Sequence, residues 1–238
     1  MPPRSWPLVA LLVLVPLVCW AWIVVLARDM YGPMTGASAW MMPPRWDAAH
    51  LFLLWSMWAV MMTGMMLPSA APVIVLTGGR AAPFVALGYV AVWAGFSIGA
   101  TALQWLLMRL LLLTPMMELS SAGAGAALLG LAGLYQLTPL KHACLTACQS
   151  PTAFLMRHWR SGVGGAFRMG VEHGVHCVGC CWVLMLLLFA GGVMNLAVIV
   201  ALTVFVAFEK LVPLGAWGAR VSGVVLVGAA VWLGVSAH

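Results

Sequence analysis

Charge is what this sequence has least of. Only 7% of its 238 residues are Asp, Glu, Lys or Arg, against about 25% in an ordinary soluble domain. A soluble fold cannot cover its surface with so few charges. Acids are scarcest of all: there are five. That leaves little room for paired-carboxylate acid–base chemistry, and no Ser-His-Asp arrangement follows from spacing alone. No phosphate-cradling Gly-Lys loop is present, so nothing marks an ATPase. No basic run is long enough for a nucleic-acid patch, and no nucleic-acid partner is expected. Basic loops lying against an anionic lipid leaflet account for the net charge of +6 more simply. Alternating polar and apolar strand patterns are missing too, which excludes a membrane barrel. Nothing here assigns an enzyme activity.

What the chain has in abundance is apolar sequence, 64% of all residues. It falls in continuous runs of about 20 residues, the length of a spanning helix. The expected fold is therefore all-α: a single polytopic transmembrane bundle over 1–238, with membrane lipid as its surroundings. About seven spans are expected, at 7–27, 50–76, 84–110, 121–139, 168–189, 193–212 and 216–236. A linker with Arg28, Asp29, Gly32, Pro33, Gly36, Pro43, Pro44, Arg45 and Asp47 follows the first span. The most polar stretch, 140–166, reads as a cytoplasmic loop. In the fourth span Gly123, Gly130 and Gly133 are expected to let a neighbouring helix come close.

The run from Trp6 to Ala27 is too long for a signal-peptide core, and no small-x-small cleavage site is clear. Cys19 follows Leu17-Val18 rather than a small residue, which argues against lipidation. A retained first helix is expected. With the N-terminus inside, the inner segments hold Arg4, Arg80, Lys141, Arg157, Arg160, Arg168, Lys210 and Arg220. The outer ones hold only Arg28, Arg45 and Arg109. That asymmetry predicts a cytoplasmic N-terminus and a periplasmic C-terminus in an inner membrane.

Against this apolar background, soft metal ligands cluster. Five of six cysteines, Cys144, Cys148, Cys177, Cys180 and Cys181, lie close together in sequence with His142, His173 and His176. On helices Cys144 and Cys148 sit one turn apart, and His173, Cys177 and Cys180 or Cys181 line one stripe, with His176 and Cys180 adjoining. Thiolate with imidazole suits Cu(I), zinc or iron. Glu172 beside His173 reads equally as a partner orienting that imidazole or as a solvated charge. A single cysteine in such a helix is an ordinary small apolar residue; five gathered with histidines at membrane depth point to a metal or redox site.

Methionine forms the second pattern. Met57, Met61 and Met65 make one stripe, and Met62 and Met66 a second beside it. Thioether sulfur favours Cu(I) over zinc, although a Met stripe is also good core filler. Gly64 and Pro68 are expected to open that helix locally. Glu209, beside Lys210 in the sixth span, is an embedded carboxylate. It reads either as a functional group or as a charge paired with Lys210, Arg157, Arg160 or Arg168. In the expected topology the Met pairs, Cys144, Cys148, His173, Cys177 and Glu209 share an inner layer. The cytoplasm keeps thiols reduced, which favours Cu(I) over disulfides.

The ordered motifs Trp58-x-x-Met61-Met62-x-x-Met65-Met66-Leu-Pro68, Tyr135-Gln136-Leu-Thr-Pro139-Leu-Lys141, Cys144-x-x-x-Cys148-x-x-Pro151, Gly174-x-x-Cys177-x-Gly179-Cys180-Cys181-Trp182, Gly192-x-Met194-Asn195 and Glu209-Lys210 resemble a bacterial family. That family is catalogued as predicted metal-binding integral membrane proteins of unknown function. The resemblance covers about residues 50–212 and implies metal binding without an activity. The Met-x-x-x-Met spacing is also similar to that of copper-uptake channels. Three readings stay open: a copper(I)-binding membrane protein for metal handling or delivery, a membrane thiol-disulfide redox protein, and an accessory subunit whose partners are other proteins of a membrane complex.

Overall fold

A computed structural model describes residues 6–32, 34–36, 46–114, 116–212 and 215–236. Arg4, Pro33, Pro43, Pro44 and Arg45, used above for the linker and the orientation, lie outside the described residues. The fold is all-helical. Among the described residues there is no strand, only a single bridge between Leu113 and Leu119. In chain order the helices are α1 (Trp6–Met30), α2 (Ala48–Thr77), α3 (Ala82–Arg109), α4 (Ala122–Gln136), α5 (Pro139–Gln149), α6 (Pro151–His158), α7 (Gly162–Gly191), α8 (Leu196–Leu211) and α9 (Gly215–Ser236).

Five of these, α1, α2, α3, α7 and α9, are long and apolar enough to cross a membrane. Length and composition do not confirm the expected count of about seven among the described residues, because α4 and α8 have 15 and 16 residues. At 1.5 Å per residue each spans about 23 Å, short of a hydrocarbon core of about 30 Å. The stretch 140–166, expected as a loop, is mostly helical. Its local chemistry explains this. Proline disfavours helix in the residue before it, so α4 stops ahead of Pro139 and α5 ahead of Pro151. Each proline then serves at the start of the next helix. Thr138 caps α5 by accepting from the Lys141 amide at 3.3 Å. Leu145, Phe154 and Leu155 turn inward and are buried, which anchors both short helices. Pro68 and Pro72 lie inside α2, which nevertheless remains a single helix.

Glycine sets the central crossing. A Cβ on Gly88 of α3 would lie 2.1 Å from the Phe167 carbonyl oxygen, and one on Gly170 of α7 would lie 2.1 Å from that of Val85. Gly174 packs against Val92. Gly170 lies against Val85 and Tyr89, and Gly174 against Tyr89 and Val92, so the contacts advance together along both helices and α3 and α7 run parallel in backbone contact. Small residues are what permit such an approach. The chain must therefore return between them, and it does so in pieces, through α4, α5 and α6. A second glycine crossing joins α4 to α9, where Gly133 meets Gly223 and Val227. Of the glycines expected to admit a neighbour, Gly133 does so tightly and Gly130 makes ordinary contact with Ala230, while Gly123 faces open space.

The core is built mainly from α2, α3 and α7, with Trp58, Tyr89, Trp93 and Phe189 fully enclosed. Large apolar side chains stay exposed on α1 (Leu14, Leu17, Val18) and on α9 (Val224, Val231, Trp232).

Candidate metal centre

Five helices meet around one sulfur. Cys177 of α7 is buried, and Lys210 of α8 directs its ammonium at the Cys177 Sγ from 2.8 Å. The same Nζ lies 3.8 Å from Cys181 Sγ, 3.8 Å from Met66 Sδ and 3.4 Å from Ser69 Oγ. Tyr89 of α3 places its hydroxyl 2.9 Å from Cys177 Sγ and donates to the Met66 carbonyl at 2.9 Å. Cys148 of α5 completes the group, its thiol interacting with those of Cys177 and Cys180. Its thiol is held well above its ordinary pKa, first by the neighbouring Cys177 thiol, then by that of Cys180 and by burial. Cys180 and Cys181 both donate to the Cys177 carbonyl, at 3.1 and 3.0 Å. This is the usual resting place of a helical side-chain donor, and it leaves their sulfurs beside that of Cys177.

Cys144, one turn before Cys148, packs onto the α7 backbone. A Cβ at Gly179 would sit 2.7 Å from Cys144 Sγ, so a residue with no side chain is what admits the thiol there. Tyr135 donates to the Gly179 carbonyl and stands edge-on to Trp182. Burial pushes the Cys144 thiol up, Cys180 adds to the effect, and Lys141 opposes it.

Glu209 is drawn in another direction from its neighbour Lys210. Its Oε2 accepts from Lys141 Nζ at 2.8 Å, and its Oε1 from Gln136 at 2.8 Å and Ser222 at 3.4 Å. Gln149 donates to its backbone carbonyl at 2.8 Å. Both partners of the ion pair are buried. A buried pair of this kind is costly to break because one charge would be left alone. The carboxylate thus ties α4, α5, α8 and α9 together, and its partner is Lys141 rather than Lys210 or the arginines expected from sequence.

A family model described as PpoB2, copper chaperone, matches residues 55–233. The chain belongs to this family. No curated protein and no solved structure matches it. The part of the chain matched to the PpoB2 family contains every residue of the centre just described.

The remaining sequence candidates are placed as follows. His173 is buried between Tyr89 and Phe154, with ring centroids 5.7 and 5.0 Å away, and its Nδ1 has no hydrogen-bond partner among the described residues. His176 turns its Nδ1 back to the Glu172 carbonyl at 2.7 Å. His142 is half-buried on α5. Glu172 is partly buried and pairs with Arg160 at 3.0 Å and Arg168 at 3.3 Å. Met57, Met61, Met62 and Met65 are buried in the apolar core, and Met66 is the methionine at the Lys210 ammonium. Among the described residues, no three His, Cys, Asp or Glu side chains are grouped as a metal ion would hold them. The centre is a set of neighbouring thiols with a thioether and an ammonium, rather than a preformed cage.

Sequence reading missed Lys210 as a member of the centre, and with it Tyr89 and Ser69, and it missed Lys141 as the partner of Glu209. Lys210 carried a signal, being a lysine beside an embedded acid. Tyr89 carried none, since an aromatic in an apolar span reads as packing. His158, stacked on Phe154 at 4.5 Å and 6.1 Å from His176, was also passed over.

Proposed function

We propose that this chain is a membrane-embedded copper(I) handler. It takes up Cu(I) at the thiols of Cys148, Cys177, Cys180 and Cys181 with the Met66 thioether, and passes it on by ligand exchange to a protein that needs it. One observation carries the reading: thiols from α5 and α7 converge with a thioether from α2 in the buried middle of the bundle. Soft neutral and anionic sulfur donors of this kind favour Cu(I) over harder ions. Membership of a family described as copper chaperones supports it. Cu(I) is satisfied by few soft ligands, so two thiolates and Met66 suffice, and the absence of a larger preformed group is no obstacle. We place the bundle in a bacterial inner membrane with its N-terminus in the cytoplasm. The exposed apolar faces of α1 and α9 support burial in lipid, since exposed apolar patches mark interaction surfaces.

The test is Cu(I) titration of the purified protein against a competing Cu(I) chelator. The wild type is expected to hold Cu(I), and Cys177→Ser to weaken it strongly, because a hydroxyl is a poor replacement for a soft thiolate ligand. A protein from copper-replete cells that competes for no Cu(I) would overturn the reading. Thiol counting before and after reduction belongs to the same experiment. A Cys148–Cys177 disulfide in place of bound copper would favour thiol redox chemistry instead.

A further inference from the structure

We propose that Lys210 is the fixed counter-charge of the copper site, and that its single positive charge selects a singly charged metal ion. The inference rests on the copper(I) reading above and concerns the specificity of the same site.

The partners of Lys210 are what make it unusual. A buried lysine ordinarily stands against a carboxylate. The carboxylate nearest in sequence, Glu209, is one residue away, and both of its oxygens are taken by Lys141, Gln136 and Ser222. Lys210 instead faces sulfur from three side chains, Cys177, Cys181 and Met66, with one hydroxyl, Ser69. It is 4% exposed, so water does little to screen its charge. A lysine that meets no carboxylate among the described residues, held against candidate metal ligands, is placed to balance charge that the ligands themselves develop.

The charges close for Cu(I). The metal-binding form of cysteine is the thiolate, and one thiolate with the Lys210 ammonium is neutral. When Cu(I) binds, a second thiol gives up its proton to solvent and becomes a ligand, as metal binding to cysteine requires. Two thiolates, one Cu(I) and one ammonium again sum to zero. With Zn(II) held by the same two thiolates the sum is +1 in a buried centre of low dielectric, and closing it takes the proton of a third thiol as well. An uncompensated charge there is strongly unfavourable. The ammonium thus favours a monovalent over a divalent ion without touching either.

The experiment measures Cu(I) and Zn(II) affinities of the full-length purified protein, each by competition with a chelator for that metal. Wild type is compared with Lys210→Met, Lys210→Gln and Lys210→Arg. In the two neutral variants, Cu(I) affinity is expected to fall by about tenfold, equivalent to about 1.4 kcal/mol. Zn(II) affinity should hold or rise, because two thiolates then balance the divalent ion alone. Lys210→Arg keeps the charge and is expected to keep the wild-type preference. Equal loss of both metals in all three variants would show that Lys210 only supports the packing and would overturn the inference. So would neutral variants in which the Cu(I) to Zn(II) preference does not move. Should Lys210→Met fail to fold, Lys210→Gln retains a donor to sulfur and carries the same comparison. If the wild type itself takes no Cu(I), the functional reading fails and the inference with it. If the wild type binds Cu(I) and only the preference is insensitive, the inference alone fails.

Discussion

Glu209 and Lys210 are consecutive, yet one closes an ion pair with Lys141 while the other faces Cys177. Successive helical residues point about 100° apart, and α8 uses that angle to serve a structural tie and a sulfur centre in one turn. The methionines divide along α2 in a comparable way. Met57 and Met66 both sit in the core, but nine residues separate them, a rise of about 13 Å. Of the two, Met66 brings its sulfur to the Lys210 ammonium, at 3.8 Å. Met66→Leu should therefore weaken Cu(I) binding by about tenfold, while Met57→Leu leaves it unchanged. Both swaps nearly conserve volume and should cost under about 1.5 kcal/mol of stability. Chelator competition on the two variants checks this, and an equal loss at Met57 would point to a conducting stripe of thioethers. That the stripes are buried was legible in their spacing. Which methionine meets the thiols was not, because it depends on how far α2 slides past α7.

At the scale of helices, the α3–α7 contact decides the geometry of the centre. Gly88 and Gly170 let the two backbones touch, and that sets Tyr89 at the level of His173 and Cys177. Alanine is intrinsically better than glycine within a helix by about 1 kcal/mol. At Gly88 that gain is outweighed, because the new Cβ would meet a backbone oxygen at 2.1 Å, which no rotamer change relieves. Overpacking of this kind typically costs about 1–3 kcal/mol. Gly88→Ala should lower the thermal stability of the detergent-solubilised protein and loosen Cu(I) along with it. Gly95→Ala on the same helix, where nothing lies within 4 Å, should be neutral or stabilising. Thermal unfolding of the two variants side by side makes the comparison. The glycine content of these helices could be read from sequence, but which glycine is covered by a neighbour could not. Gly123 looked as suitable as Gly133 and faces open space.

Across the whole molecule, the parallel pair α3 and α7 forces the intervening chain back through three short helices. The bundle consequently has two ends with different character. One carries the α3–α4 connection around Leu111. The other carries α6 with Arg157, His158 and the Arg160–Glu172 pair. Leu111 is 83% exposed and Met156 is 85% exposed, so a cysteine at either site should react freely, unlike the half-buried or buried native thiols. With an impermeant thiol reagent on intact cells, Leu111→Cys is expected to label from outside. Met156→Cys should label only after the inner face is opened. Labelling of both from one side would remove the through-membrane arrangement and the proposed orientation together.

The amino-acid sequence by itself determined that this protein is a bundle of apolar helices. It also determined that soft ligands concentrate on the segments that became α5 and α7. Both follow from local chemistry: the length of apolar runs, prolines and caps that start and stop helices, and cysteines three and four residues apart. Tertiary structure decided which of those ligands meet. It drew Lys210, Tyr89 and Ser69 into the sulfur centre and turned Glu209 away to Lys141. Each outcome depends on the depth and angle at which helices far apart in sequence cross, and those are fixed by contacts such as Gly88 on Phe167 that no local pattern encodes.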